Sequence, residues 1–363
     1  MSLDDRAAEA QRSIALRFGV RWAGLPLTHL ARVATSATVP LQWNYWWHAH
    51  YLDAVVDAGW RGLRQGDARG REYARRHLTA GLRIVRSMFW RNGAHFANHY
   101  YDDMAWLLLA TGRLRALADE LSPGHTLPLV TLAQHTLDRT VRTAMTDDLG
   151  GGLYWDVTRD FKNVPATAPF ALYLARSGEV DEARRLVDWI YDRLVDERTG
   201  LVEDGLRVGP DGEVRLIGDI YTYNQGTVLG TLVTLGDEVS LERGRRLLRA
   251  VEDHLTTAVA DARVLVGQGG GDGGLFTGIL ARYLALAARD PRLGADATAR
   301  ASRLVLDTAN ALWEGRRDDG GMTLFSAEPA VPAGRSSRAE AVELSTQLQA
   351  WTILEAAAAL CAD

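Results

Sequence analysis

Two adjacent carboxylates, Asp102 and Asp103, stand in the stretch His-Tyr-Tyr-Asp-Asp-Met-Ala-Trp at positions 99–106. Two carboxylates can share the cleavage of a glycosidic bond, because one donates a proton while the other attacks or stabilises the sugar cation. The surrounding aromatic rings suit the flat apolar faces of sugars. Aspartates are also favoured in the first turn of a helix, so capping explains an isolated pair equally well. The rest of the chain has to decide between these two interpretations.

The composition is that of a globular protein with a large core. The chain has 363 residues, of which 47% are hydrophobic, and a net charge of −5. This length allows two domains, but toroids and barrels of one domain also reach it. Since no linker is long and polar enough to divide the chain, we expect a single domain over residues 1–363.

Several classes of function are disfavoured by composition. The slight acidity and the lack of a Lys/Arg-rich run argue against a nucleic-acid binder. The single cysteine, Cys361, excludes a disulfide framework and a cysteine zinc site. His48 and His50 are two positions apart and do not share a helix face, so we expect no metal site. No motif indicates a cofactor.

The N-terminal segment lacks the basic and apolar regions of a signal peptide, and no window approaches ~18 uninterrupted apolar residues. The chain as given therefore predicts a cytoplasmic protein without a membrane span. A chain whose leader had been trimmed would look the same and would be secreted.

Helical periodicity dominates the sequence, with apolar residues recurring at spacings of three and four. A short alternating stretch at 213–217 is the best candidate strand. The pattern predicts twelve helices, near 3–17, 44–60, 72–89, 102–118, 126–145, 164–177, 180–196, 222–236, 239–257, 273–289, 295–314 and 338–361.

A weak internal repeat groups these helices into pairs. The loop at 147–153 resembles the loop at 318–322, and 196–201 is a looser copy. Repeated helix pairs with long loops at one end predict an all-α fold, an (α/α)6 toroid of six hairpins. The helices near 222–236 and 273–289 are apolar all round and fit the inner ring, whereas amphipathic helices fit the outer ring.

Polar and aromatic residues cluster at the six positions where inner helices would begin, around 44–50, 100–103, 161–163, 221–226, 271–276 and 343–347. Each cluster alone is explained by core packing or capping. Six coincident clusters instead indicate a cleft lined for sugars. The candidate substrate-binding residues are Trp46, Trp47, His50, Asn98, Tyr101, Trp106, Lys162, Asn163, Asp219, Tyr223, Asn224, Gln225, Asp272 and Phe276.

With these motifs, the chain resembles glycoside hydrolase family 76, the endo-α-1,6-mannanases. The order is kept from about residue 43 to 358, and the only lysine falls in the Lys-Asn element. The matching stretches are Trp46-Trp47-His48-Ala49-His50, Tyr100-Tyr101-Asp102-Asp103-Met104-Ala105-Trp106, Lys162-Asn163, Tyr223-Asn224-Gln225-Gly226, Gly271-Asp272-Gly273-Gly274-Leu275-Phe276-Thr277-Gly278 and Ser345-Thr346-Gln347.

The resemblance implies hydrolysis of α-1,6-linked mannose oligo- or polysaccharides with retention of configuration, Asp102 being the nucleophile and Asp103 the general acid/base. Adjacent Cα atoms lie about 3.8 Å apart, which is compatible with the ~5–5.5 Å carboxyl separation of retaining enzymes. Repulsion and the aromatic surroundings should raise the pKa of Asp103. Asp102 should stay ionised, helped by the helix N-terminus and a donor such as Asn or Tyr.

Two alternatives remain open from the sequence. An (α/α)6 sugar epimerase would use histidines as acid and base, with His48, His50, His95 and His99 as the candidates. A non-hydrolytic protein that binds or transglycosylates glycans would keep the cleft without hydrolysing its ligand.

Overall fold

The structure, a computed structural model, describes residues 1–35, 42–334 and 342–361. Within these residues the chain forms twelve helices, whose limits agree with the predicted ones to within a few positions. They are α1 (Leu3–Phe18), α2 (Tyr45–Arg64), α3 (Ala68–Arg91), α4 (Tyr101–Leu121), α5 (Pro128–Arg142), α6 (Val164–Arg176), α7 (Val180–Arg193), α8 (Thr222–Leu235), α9 (Glu238–His254), α10 (Gly273–Ala288), α11 (Ala295–Glu314) and α12 (Leu344–Leu360).

The even-numbered helices form a closed inner ring. Each packs against the next along the chain, from α2 to α12, and α12 packs back against α2. The odd-numbered helices form an outer layer, in which α3 lies on α2, α5 on α4 and α1 on α12. This arrangement confirms the predicted (α/α)6 toroid.

The two layers differ in sequence because they differ in burial. The inner helix α12 is buried from Leu344 to Ala358, and its apolar residues have no preferred side. The outer helix α7 buries Ala183, Leu186, Val187 and Ile190, which recur on one face. The residues 338–341, where the sequence predicted the start of the last helix, lie outside the described residues.

Two glycines let neighbouring inner helices approach at backbone distance. A Cβ atom on Gly226 of α8 would lie 2.7 Å from the Cα of Leu280 on α10. A Cβ on Gly278 of α10 would lie 2.9 Å from the Cα of Gln349 on α12. Both distances are below van der Waals contact, so the close packing of this part of the ring depends on these glycines.

In the described part of the chain, nine short strands form small antiparallel sheets within the loops. The sheet that matters for the cleft joins β3, β4 and β5, with Asn163 opposite Gly205 and Gly205 opposite Ile217. The predicted strand at 213–217 corresponds to β5. The other strands, of two to four residues each, were not predicted. The strands are β1 (Gly19–Val20), β2 (Leu30–Ala31), β3 (Phe161–Asn163), β4 (Gly205–Val208), β5 (Val214–Ile217), β6 (Thr256–Val259), β7 (Ala262–Leu265), β8 (Arg317–Asp318) and β9 (Thr323–Leu324).

None of the helices in the described segments combines the length and the apolarity that crossing a membrane requires.

Candidate active site

A cleft of about 1110 Å³ opens at the N-terminal end of the inner ring. The first turns of α2, α4, α6, α8 and α10 each contribute lining residues, as do the β3–β4–β5 sheet and the loop before α10. The predicted cluster at the start of α12 is not among the described lining residues. Its amides instead hold a loop, since Gln347 exchanges hydrogen bonds with the backbone of Phe325.

Asp102 and Asp103 are the second and third residues of α4, and both line the cleft. One oxygen of Asp102, Oδ1, accepts a 2.8 Å hydrogen bond from the backbone N–H of Asp103. The other, Oδ2, accepts a 2.9 Å bond from the indole N–H of Trp155. Asp103 is 8% exposed, and its Oδ2 accepts a 2.6 Å bond from the amide of Asn98. Each carboxyl therefore has its own donor.

Burial raises the pKa of both carboxyls. Burial raises the pKa of Asp102 to about 7, opposed by the hydrogen bonds from Trp155 and from the backbone of Asp103. Burial and then the charge of Asp102 raise the pKa of Asp103 well above its ordinary value. Asp103 therefore holds the proton when Asp102 is ionised. The predicted rise in the pKa of Asp103 is thus accompanied by a rise at Asp102 that was not predicted, because burial affects both groups.

Four aromatic side chains form one wall of the cleft. The rings of Tyr223 and Phe276 stack with centroids 4.0 Å apart at an interplanar angle of 17°. Trp46 and Trp106 lie 6.4 and 6.2 Å from Tyr223, measured between centroids. Trp106 is one helical turn after Asp102 and shares its face of α4. Flat apolar surface thus adjoins the carboxyl pair.

Asp272 ties the start of α10 to the start of α2. Its Oδ1 accepts hydrogen bonds from the indoles of Trp46 and Trp47, at 3.1 and 2.8 Å, and from the amide of Asn44 at 3.4 Å. Asp272 also lines the cleft. It thereby fixes the orientation of Trp46 in the aromatic wall.

Asp204 is a cleft residue that the sequence analysis missed. It lies directly before β4, is 8% exposed and accepts a 3.0 Å hydrogen bond from Asn224. Burial raises its pKa to about 6, against the hydrogen bond from Asn224. Its surroundings in the sequence carry no motif, since it reaches the cleft through the pairing of β4 with β3.

A family model described as glycosyl hydrolase family 76 matches residues 26–359. The chain belongs to glycosyl hydrolase family 76. Family membership places the protein among the glycoside hydrolases. No curated protein sequence matches the chain.

Solved structures agree with this family 76 assignment. The GH76A α-1,6-mannanase from Salegentibacter sp. HEL1_6 is 28% identical with a TM-score of 0.82, and the match covers 99% of this chain and 100% of that one. An inactive variant of that enzyme, with two neighbouring aspartates replaced by alanine, was solved in complex with α-1,6-mannotetrose; it is 27% identical over 99% and 100% of the two chains, with a TM-score of 0.82. A family 76 glycoside hydrolase from a bovine Bacteroides thetaiotaomicron strain shares the fold at 16% identity, with a TM-score of 0.77 over 99% and 78% of the chains.

The structure of this family 76 protein separates the predicted site residues into two groups. The lining of the cleft includes Asp102, Asp103, Trp46, Asn98, Trp106, Asn163, Asp219, Tyr223, Asp272 and Phe276. The second group lies behind that lining, where the side chains are buried, and comprises Trp47, His50, Tyr101, Lys162, Asn224 and Gln225. For the second group the interpretation changes from ligand contact to positioning.

Lys162 is the clearest of these corrections. Its ammonium donates to the backbone carbonyls of Thr146, Asp148 and Gly151 at 2.8, 2.6 and 2.7 Å, and to Oγ1 of Thr146 at 2.9 Å. Because side chains alternate along a strand, Lys162 of β3 points into this loop while Asn163 points to the cleft. Lys162 therefore organises the loop that leads to Trp155.

The side-chain amides of the Tyr-Asn-Gln-Gly motif also lie behind the cleft lining and position other residues. Gln225 accepts a bond from the backbone N–H of Val202 and donates to its carbonyl, both at 2.8 Å. Asn224 donates to Asp204. These neighbouring side chains fix the segment that carries Asp204 into the cleft.

Other lining residues had weak sequence signals or none. Trp155 and Tyr221 stood in the aromatic runs, but nothing distinguished them from core residues, whereas Arg207 and Gln268 lay outside every motif. The guanidinium of Arg207 packs 4.2 Å from the centroid of Phe161. Across the described parts of the chain, no cluster of three or more His, Cys, Asp or Glu residues could hold a metal ion.

Proposed function

We propose that this family 76 protein hydrolyses α-1,6-mannosidic linkages of mannan or manno-oligosaccharides with retention of configuration. The observation that carries the proposal is the adjacent pair on the cleft wall, in which Asp102 and Asp103 have separate donors and raised pKa values. The Salegentibacter mannanase supports it, because replacing two neighbouring aspartates gave an inactive variant that holds α-1,6-mannotetrose.

In the first step, the carboxylate of Asp102 attacks the anomeric carbon. Protonated Asp103 gives its proton to the glycosidic oxygen, so the leaving sugar departs as a neutral alcohol. The new bond joins Oδ of Asp102 to the anomeric carbon, and the bond from that carbon to the glycosidic oxygen breaks.

In the second step, Asp103 acts as a base. Once Asp102 is a neutral ester, the charge that raised the pKa of Asp103 is gone, so that pKa falls. Ionised Asp103 takes a proton from water as the water oxygen attacks the anomeric carbon and releases Asp102. Two inversions give net retention.

The size and the lining of the cleft are also suited to an oligosaccharide substrate. A volume of about 1110 Å³ exceeds the ~300–1,000 Å³ of typical small-molecule pockets and suits an oligosaccharide. The wall of Trp46, Trp106, Tyr223 and Phe276 offers apolar faces to sugar rings. The carboxylates of Asp204, Asp219 and Asp272 are acceptors for hydroxyl groups.

The position of the histidines disfavours the epimerase alternative. The ring of His48 bonds to backbone carbonyls of Ala31 and Asn44, at 2.9 and 2.7 Å. His50 is buried behind Trp106, with ring centroids 4.7 Å apart. Of the four candidate histidines, all within the described residues, His99 alone lines the cleft, whereas acid–base epimerisation through histidines would need a pair.

The test measures reducing ends released from α-1,6-mannan by the wild type, Asp102→Asn and Asp103→Asn. Both variants should lose more than about 1,000-fold in kcat/KM, with circular dichroism unchanged. Asp181→Asn, an exposed acid on α7, is the matched control and should retain full activity.

Proton NMR should show the α-anomer as the first product. Near-full activity in either cleft variant, or a β-anomeric first product, overturns the mechanism. Oligosaccharide binding by the wild type without cleavage supports the non-hydrolytic alternative.

A further inference from the structure

A second cavity, of about 160 Å³, lies between the C-terminal halves of the inner helices, at the opposite end of the ring from the cleft. Three arginines at helix ends reach it: Arg64 is the last residue of α2, Arg176 the last of α6, and Arg289 directly follows α10. The cavity shares none of its described lining residues with the cleft.

The acids near this cavity are already paired with other arginines. Asp57 accepts hydrogen bonds from Arg113 and from Arg282, the latter at 2.5 Å. Asp53, just behind, also pairs with Arg113 and Arg282. These two acids and two bases form a neutral set.

The other acid of the cavity wall, Glu355, is paired as well. It lies 3.0 Å from the guanidinium of Arg61, and both side chains are almost fully buried. No acid of the described cavity wall therefore forms an ion pair with the arginines at the helix ends.

Arg64, Arg176 and Arg289 have no hydrogen-bonded or ion-paired side-chain partner among the described residues. The Nε and Nη2 atoms of Arg64 are buried and unpartnered. Burial lowers the pKa of Arg64, although the charges of Glu355, Asp4 and Asp57 raise it. Arg64 is half-buried, whereas Arg176 and Arg289 line the cavity as exposed residues.

Helix dipoles account for part of this charge. Each helix C-terminus carries about half a negative elementary charge. Four helix ends line the cavity, those of α2, α6, α10 and α12. They offset roughly two of the three guanidinium charges, so the cavity keeps a positive excess of about one charge. That excess favours an anion over a cation or a neutral ligand in this cavity.

We propose that this cavity binds a small oxyanion bearing a phosphate or sulfate group. A water molecule occupies about 30 Å³ of liquid, so a cavity of 160 Å³ has room for a tetrahedral anion and a few waters. Guanidinium groups match such oxygens with paired N–H donors.

The test titrates the full-length protein with inorganic phosphate by calorimetry and follows its Tm, with sodium chloride of equal ionic strength as the reference. Phosphate should bind saturably and raise the Tm, whereas chloride should do neither. Arg64→Gln, Arg176→Gln and Arg289→Gln should each weaken phosphate binding about tenfold or more. Arg75→Gln, an exposed arginine on the outer helix α3, is the matched control and should bind as the wild type does.

A second titration, with glycerol 3-phosphate, tests whether the natural ligand is a phosphomonoester or free inorganic phosphate. Tighter binding than inorganic phosphate assigns a phosphorylated ligand, and binding of inorganic phosphate alone assigns the free ion. The proposal is overturned if phosphate behaves as chloride does, or if the triple variant keeps wild-type affinity. It is equally overturned if the variants lower the Tm without changing the response to phosphate, because the arginines would then serve the helix ends alone. Since the readout is binding, it is independent of mannan hydrolysis.

Discussion

The indole N–H of Trp155 donates to Oδ2 of Asp102 across 2.9 Å, although the two residues are 53 positions apart in the chain. A second contact supports this one, since the backbone N–H of Tyr101 donates to the carbonyl of Trp155 at 2.7 Å. Trp155 is thus held against the first turn of α4 by both its backbone and its side chain. The ionisation of Asp102 therefore depends on the conformation of the loop that precedes β3.

Removing this indole donor should impair the proposed nucleophile. Trp155→Phe keeps an aromatic ring but loses the bond that lowers the pKa of Asp102. A hydrogen bond to a charged group contributes about 1.5–3 kcal/mol, so kcat/KM on α-1,6-mannan at pH 7 should fall roughly 10- to 100-fold. Trp90→Phe is the control, because that side chain is exposed on the outer helix α3, away from the cleft lining. Equal activity of the two variants would contradict the role of Trp155.

The pH profile of kcat/KM should be bell-shaped, with its acid limb near neutrality. Activity requires Asp102 ionised and Asp103 protonated. As the pH falls through the pKa of Asp102, about 7, the nucleophile gains a proton; as it rises through the higher pKa of Asp103, the acid loses one. Initial rates between pH 4 and 10 test this. Trp155→Phe should move the acid limb to higher pH, and an unmoved limb would mean that another group governs it.

Lys162 should be irreplaceable by arginine despite the chain's preference for arginine. Lys162→Arg must fit a larger planar group where a compact ammonium meets four acceptors. Lys162→Met leaves three backbone carbonyls without that donor, and each variant should lose about 3 kcal/mol of unfolding free energy. Urea denaturation measures this. The control is Arg185→Lys on the exposed face of α7, which should leave stability unchanged. Wild-type stability in Lys162→Arg would show that the loop tolerates either cation.

The close contact between α8 and α10 at Gly226 should not tolerate an added methyl group. In Gly226→Ala the new Cβ would meet the backbone of Leu280 at 2.7 Å, so overpacking should cost about 1–3 kcal/mol. Gly112→Ala in α4 is the matched control, since its Cβ would lie 3.9 Å from the nearest atom. That substitution should stabilise the protein by about 0.5–1 kcal/mol. Thermal unfolding compares them, and the opposite order would rule out ring packing as the reason for Gly226.

The sequence predicted the helices and the ring because burial imposes their pattern directly. A helix buried on all sides, such as α12, is apolar all round, and an outer helix such as α7 shows one apolar face. The short strands leave no such pattern: β3 has three residues, and its pairing with β4 is visible in the structure alone. Asp204 was missed for this reason.

Residue types predicted the cleft better than they predicted individual contacts. Tyr223 and Asn224 are neighbours in one motif, yet Tyr223 faces the cleft while Asn224 is buried and bonds to Asp204. The same division separates Asn163 from Lys162. A motif indicates a region where residue types are restricted by packing and by the cleft together. Which side chain faces the cleft depends on the alternation of side chains along a strand and on their angular spacing around a helix.

The contact between α12 and α2 has a consequence for how the protein folds. Arg61 and Glu355 pair across 294 positions of sequence, so the ring closes between distant parts of the chain. An open array of hairpins can lose a terminal repeat at the cost of one interface. In the closed ring every hairpin packs against two neighbouring hairpins. Unfolding of any one hairpin therefore disrupts both of its interfaces. Unfolding should therefore be cooperative across the ring, and folding should be slow for a helical protein because closure requires a contact of high sequence separation.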